Sequence, residues 1–260
     1  MDINFSKIKK YTFLGNEKKT KMKKYIIHAP HKCGSTIVSK ILKSVFDLPR
    51  IKVGEDIVVN NDSGLMKLRF ERLINPANPA KLVGVNLAND NFIFIPRNPI
   101  GITISMFYSF GYTHKCPAGF TQEQFESKRQ KIQKEGLANY INRVTPINSK
   151  KIEKFWNLPA TNKVILPYEF MIGNFSEFLK ELLQTLDMAS VYDKTYEKWK
   201  YSFAPIEDKS DLIEAGKLKS HKRTTDIYEW KKKLSNEEQS KLLSEFPFIQ
   251  QYDDFLNKLL

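Results

Sequence analysis

Apolar residues recur along this chain with two spacings. Short runs of nearly consecutive apolar side chains, "YIIHAP" from Tyr25, "KLVGV" from Lys81, "NFIFIP" from Asn91 and "KVILPYE" from Lys163, have the length of strands buried within a sheet. Between them the spacing changes to three and four. Ile37, Val38, Ile41, Leu42, Val45 and Phe46 follow the first run, and Phe175, Phe178, Leu179, Leu182, Leu183 and Leu186 follow the last, each set marking one face of a helix. Pro99 stands where a third helix, "PIGITISMFYSF", would begin, and residues 120–157 carry long polar helical patterns around Phe125, Ile132, Leu137, Tyr140, Ile141, Phe155 and Trp156. Asn174 with Glu177, and Ser235 with Glu238, have capping-box spacing. The stretch from Leu48 to Ala80 is rich in Asn, Asp, Gly and Pro and reads as loop, with at most short helical pieces around "LMKLRFERLI".

Strands alternating with helices, without an internal repeat, predict one α/β domain of three layers around a central parallel sheet. It is expected to span residues 25–260, behind a polar, lysine-rich arm at residues 1–24. The formal net charge of +13 sits largely in lysine runs such as Lys231, Lys232 and Lys233, which read as solvated faces or as an anion-attracting field around a site. A nucleic-acid-binding surface would want aromatics interleaved with Arg and Lys, a pattern this chain does not show, so no nucleic-acid partner is expected. The absence of an apolar run of membrane-spanning length, and of an apolar core in "MDINFSKIKKYTF", leads us to expect a soluble, cytoplasmic protein without a membrane partner. Cys33 and Cys116 give neither a disulfide framework nor paired metal-ligand spacing.

Two strand-to-helix turns carry the candidate chemistry. In "HAPHKCGSTIVSKI" Gly34 lets the backbone close tightly at a helix N-terminus, where unpaired N–H groups and the positive end of the helix dipole favour an oxyanion. Lys32, Ser35 and Thr36 would add an ammonium and two hydroxyls. Because Lys32 precedes Gly34, the turn is not a Walker A loop, and by itself it reads more readily as a plain capped turn than as an anion site. The second turn is "FIFIPRNPIGITIS", where Arg97 leaves a strand end and Ser105 lies eight residues on.

Together these turns resemble the sulfotransferases that use 3'-phosphoadenosine 5'-phosphosulfate (PAPS). "HKCGST" is similar to that family's 5'-phosphosulfate loop, P-K-[SC]-G-[ST]-T, from the lysine onward, with His31 in place of the proline. "RNPIGITIS" is similar to its 3'-phosphate motif, R-[DN]-P with a serine eight residues after the arginine. "PYEFM" and "YSF" resemble segments near the adenine, which would place Tyr168 and Ser202 there, and "RTTDIYEWKKKLSNEEQ" resembles a late loop with Arg223 as its arginine but without its glycines. The resemblance implies a P-loop-NTPase-like fold and a cofactor-binding set of Lys32, Cys33, Gly34, Ser35, Thr36, Arg97, Ser105, Tyr168, Ser202 and Arg223. The implied activity is transfer of the sulfuryl group of PAPS to a hydroxyl or amine of a small-molecule or glycan acceptor, releasing 3'-phosphoadenosine 5'-phosphate (PAP), with Lys32 stabilising the departing phosphate oxygen. A non-catalytic PAP- or PAPS-binding relative is the first alternative, and a basic nucleic-acid-binding protein the second.

The proton acceptor is the open position. Cytosolic relatives place a histidine about two dozen residues before the motif arginine, but no histidine lies between His31 and His114. Glycan-type relatives use a glutamate about twenty residues after the lysine. That points to Glu55, 23 residues after Lys32, as catalytic base, with Asp56 and Asp62 behind it; Glu55 reads equally as a surface carboxylate. His28 and His31 fit structural or polar roles, His114 could reach the acceptor, and Cys33 has no base placed for nucleophilic work.

Overall fold

Four consecutive residues, Tyr25 to His28, are buried because the strand that holds them, β1 (Lys24–His28), runs through the middle of the only sheet among the described residues. The computed structural model describes residues 22–72, 86–218 and 224–260. The predicted "KLVGV" strand, Arg223 and nearly all of the predicted N-terminal arm lie outside those residues. The sheet has five strands in the order β2-β3-β1-β4-β5. β3 (Gly64–Glu71) and β4 (Asn91–Phe94) flank β1 in parallel, with His28 opposite Glu71 on one side and Phe94 on the other. β5 (Asn162–Ile165) adds in parallel to β4.

The sheet is mixed rather than wholly parallel. β2 (Asp56–Asn61) pairs antiparallel with β3, so part of the stretch expected to be loop is a hairpin closed at Asp62 and Ser63. Its signal was alternation: Met66, Leu68 and Phe70 are buried while Leu65 is exposed, as in strands wetted on one face. β5, expected to be fully buried, is the opposite edge, and its residues are half-buried or exposed.

Helices flank this sheet in a single α/β domain. α1 (Ser35–Val45) buries Val38, Ile41, Leu42 and Val45, and leads from β1 towards β3. From β4 the chain turns the other way through α2 (Pro99–Tyr108), a π-helical turn at Ser109–Thr113, α3 (Gln122–Glu135) and α4 (Leu137–Trp156) before reaching β5. Phe155 of α4 covers one sheet face, its ring centroid 4.3 Å from that of His28. α5 (Tyr168–Gly173) and α6 (Phe175–Thr185) follow β5, and α6 buries Phe175, Phe178, Leu179, Leu182 and Leu183. The remainder of the chain adds α7 (Tyr192–Trp199), α8 (Ser210–Glu214), α9 (Glu229–Lys233), α10 (Asn236–Glu245) and α11 (Pro247–Asn257).

The predicted capping box at Ser235 is complete, and Thr121 with Gln124 forms another. Asn174 makes only half of one, accepting from the Glu177 N–H at 3.3 Å. Among the described residues no helix is long and apolar enough to cross a membrane. Since the connections after β1 and β4 depart in opposite directions, a crevice opens between the carboxyl ends of these neighbouring strands, where ligands bind in open α/β sheets.

Candidate nucleotide site

Both strand-to-helix turns lead into that crevice, but their helix ends differ. After β1 the Cys33 N–H closes the turn on the Pro30 carbonyl at 3.0 Å, with Lys32 and Gly34 both at positive φ, 70° and 75°. Gly34 is the N-cap of α1 and no side chain caps it. The first intrahelical bond is Val38 N–H to the Gly34 carbonyl, so the N–H groups of Ser35, Thr36 and Ile37 have no acceptor in a preceding turn. This is an open helix end. Glycine is required twice over, because a Cβ at position 34 would lie 2.8 Å from both Met171 Cε and Tyr168 Cδ2.

The end of α2 is closed. Asn98, its N-cap, accepts from the N–H groups of Ile100 at 2.9 Å and Gly101 at 3.4 Å, while its own amide donates to Asp253 at 2.8 Å. Pro99 at the first helical position has no N–H to satisfy. An anion at this turn must therefore be met by side chains.

Arg97 is the side chain placed to do so. Its guanidinium lies over the Tyr168 ring at 4.5 Å, donates to the Lys32 carbonyl at 3.2 Å, and stands 3.9 Å from Glu169 and 3.8 Å from Glu229. Its Nε is buried with no hydrogen-bond partner among the described residues. Glu169 accepts from the Asn98 N–H and from the Tyr252 hydroxyl, and burial raises its carboxyl above the ordinary range in spite of Arg97. Glu169 and Glu229 thus flank the guanidinium without hydrogen-bonding its Nε.

These turns border one cavity of about 710 Å³. Lys32, Gly34, Ser35, Thr36, Arg97, Ser105, Tyr168 and Ser202, all singled out from sequence, line it. Cys33 does not: its side chain is fully buried, and burial pushes the thiol well above its ordinary range. Thr224 and Thr225, beside Arg223, reach the wall. Four cationic side chains, Lys32, Lys40, Arg72 and Arg97, line the cavity, and no carboxylate does among the described residues.

Lys32 donates to the Ser109 hydroxyl at 2.7 Å, and burial together with Arg97 lowers its ammonium to about 8. His31 also faces the cavity; burial first, then Lys32, Arg72 and His114, lower it to about 4, so it is neutral near pH 7. Sequence reasoning missed Arg72 and Ser109. Arg72 follows β3, in register beside β1, and its Nε donates to the Ser35 hydroxyl at 3.1 Å. Recognising the β2–β3 hairpin would have located it.

Glu55 lies elsewhere. It pairs with Lys52 at 3.1 Å on the surface, its side chain 57% exposed, and it lines neither this cavity nor the one beside it. Asp56 is tied to Lys24 at 2.9 Å and Arg69 at 3.5 Å, while Asp62 accepts from Ser190. The physical reason is the hairpin, because β3 stands between β2 and β1 and keeps β2 at the sheet edge.

No protein-family model and no curated protein matches the chain. Among solved structures, mouse sulfotransferase SULT7A1 complexed with PAP aligns with 85% of this chain and 82% of its own, at 15% sequence identity and a TM-score of 0.48.

Proposed function

We propose that the chain binds PAPS across the β1–β4 crevice and transfers its sulfuryl group to a hydroxyl or amine of a small-molecule or glycan acceptor, releasing PAP. The observation that carries this is the pairing of two unlike anion-favouring groups in one cavity that no carboxylate lines among the described residues. One is an open helix end with a lysine, and the other is the Arg97 guanidinium, which lines the cavity over the Tyr168 ring. A nucleotide bearing a phosphosulfate at one end and a phosphate at the other has matching chemistry, and the cavity volume lies in the range of small-molecule sites.

In this assignment the backbone N–H groups of Ser35 to Ile37, with Lys32 and the Ser35 and Thr36 hydroxyls, hold the 5'-phosphosulfate. Arg97, Ser105 and Arg223 hold the 3'-phosphate, and Tyr168 and Ser202 flank the nucleoside. As the acceptor oxygen bonds to sulfur, the bond from sulfur to the 5'-phosphate oxygen breaks and its electron pair stays on that oxygen. Lys32 stabilises the resulting charge as a pre-placed cation. The acceptor's proton passes to His31, which takes the place expected for Glu55: it is neutral near pH 7 and lines the cavity, where Glu55 does not.

The test is calorimetric titration with PAP together with incubation of the protein with radiolabelled PAPS and a panel of phenols, alcohols, amines and sugars. Micromolar PAP affinity that weakens at least about tenfold in Arg97→Ala, with label reaching an acceptor, is the expected result. PAP binding without transfer would identify a non-catalytic nucleotide-binding relative, and no PAP binding would overturn the assignment.

A further inference from the structure

Beside the nucleotide cavity lies a second one, of about 550 Å³, and the two share His31 and Arg72 as common wall. The rest of its described lining comes from Pro30 after β1, from Val53 ahead of β2, from α2 and from α4. Ile102 and Met106 of α2, Ile152 of α4 and Val53 make it largely apolar. Set into these apolar walls are two cations, Arg72 and Lys151, and no carboxylate among the described lining residues.

The pairing of these two cations departs from the pattern nearby. Arg69, one turn of the pleat before Arg72, is neutralised by Glu71 at 2.6 Å, and Lys24 is neutralised by Asp56 at 2.9 Å. Arg72 spends its Nε on a neutral hydroxyl, that of Ser35. Lys151, half-buried, has no acidic partner among the described residues. Two half-buried cations in an apolar pocket carry a desolvation cost that an incoming anion relieves, so the pocket discriminates by charge as well as shape. Asn148, the remaining polar group, is already engaged, its amide donating to the Thr103 hydroxyl at 2.9 Å.

We propose that this second cavity is the acceptor site and selects acceptors that carry a carboxylate on an apolar frame, with the carboxylate held by Lys151 and Arg72 and the reacting hydroxyl turned to His31. The proposal rests on the sulfuryl-transfer assignment for its chemistry, but the charge preference of the cavity can be measured without it. Lys151, on the wall away from the nucleotide cavity, is the specificity-determining residue.

The probes are 4-hydroxyphenylacetate and its uncharged counterpart 4-hydroxyphenylacetamide, titrated calorimetrically into the full chain with and without saturating PAP, alongside single-turnover transfer from labelled PAPS. The acid should bind at least about tenfold tighter than the amide, and Lys151→Gln should cut that preference severalfold while leaving PAP affinity unchanged. Lys151→Glu should reverse it. Equal affinity for acid and amide, a preference that survives both variants, or no binding of the acid at about 10 mM would overturn the proposal. If PAP fails to bind while the acid-over-amide preference appears and follows Lys151, the sulfuryl-transfer assignment falls and the anion-selective cavity stands.

Discussion

Replacing His28 by phenylalanine should make the protein resistant to mild acid. His28 is fully buried among Phe92, Phe94 and Phe155, and neither ring nitrogen has a hydrogen-bond partner among the described residues. Burial lowers its pKa from 6.5 to about 3. Below pH 6.5 the unfolded imidazole takes up a proton that the folded one refuses, so the unfolded state gains as pH falls, progressively down to about pH 3. Between pH 7 and pH 5 this one site removes about 2 kcal/mol of stability, applying those two pKa values to the linkage relation. At pH 7 the substitution has opposed effects of about 1–3 kcal/mol each, relief of two unsatisfied nitrogens against a larger ring in a packed site. The change with pH is therefore the diagnostic quantity. Urea unfolding followed by tryptophan fluorescence at both pH values should show the wild-type midpoint falling further than that of His28→Phe, by about 0.7 M for a slope near 3 kcal/mol/M. Equal shifts in the two proteins would refute the reasoning and require a partner for the His28 ring.

Gly34→Ala combines a left-handed backbone with a Cβ 2.8 Å from Met171 and Tyr168, so it should cost about 2–4 kcal/mol in chemical denaturation; a cost below about 1 kcal/mol would mean that the turn relaxes freely. Lys32, lowered to about 8, should be acetylated by acetic anhydride at pH 8 ahead of the exposed lysines, and PAP should protect it; mass-spectrometric mapping that finds Lys32 among the slowest sites contradicts the electrostatics. His31→Ala should slow sulfuryl transfer by about a hundredfold with PAP affinity within about twofold, and unchanged turnover would move the proton to another group.

Much of the fold was legible because its central elements combine local signals that agree. β1, β4 and α1 carry apolar periods matching their burial, and Pro99 marks the start of α2. The β2–β3 hairpin was not legible by the same rule, since strands wetted on one face hide apolar residues at every second position among polar ones, and Asn and Asp in this stretch also mark loops. That single misreading propagated into the site. It displaced Glu55, whose distance from Lys32 along the chain has no counterpart in space once a hairpin intervenes, and it concealed Arg72, which reaches the cavity only because β3 lies parallel to β1. The two strand-to-helix turns show the opposite case. Gly34 has no side chain to satisfy the first turn of α1, whereas Asn98 satisfies that of α2 with its own amide, so residue identity alone separates a helix end left for a ligand from one closed by the protein. That difference is what supports the proposed placement of the phosphosulfate at the backbone end of the cavity. In the same proposal the 3'-phosphate falls to Arg97, a fixed cation flanked by Glu169 and Glu229.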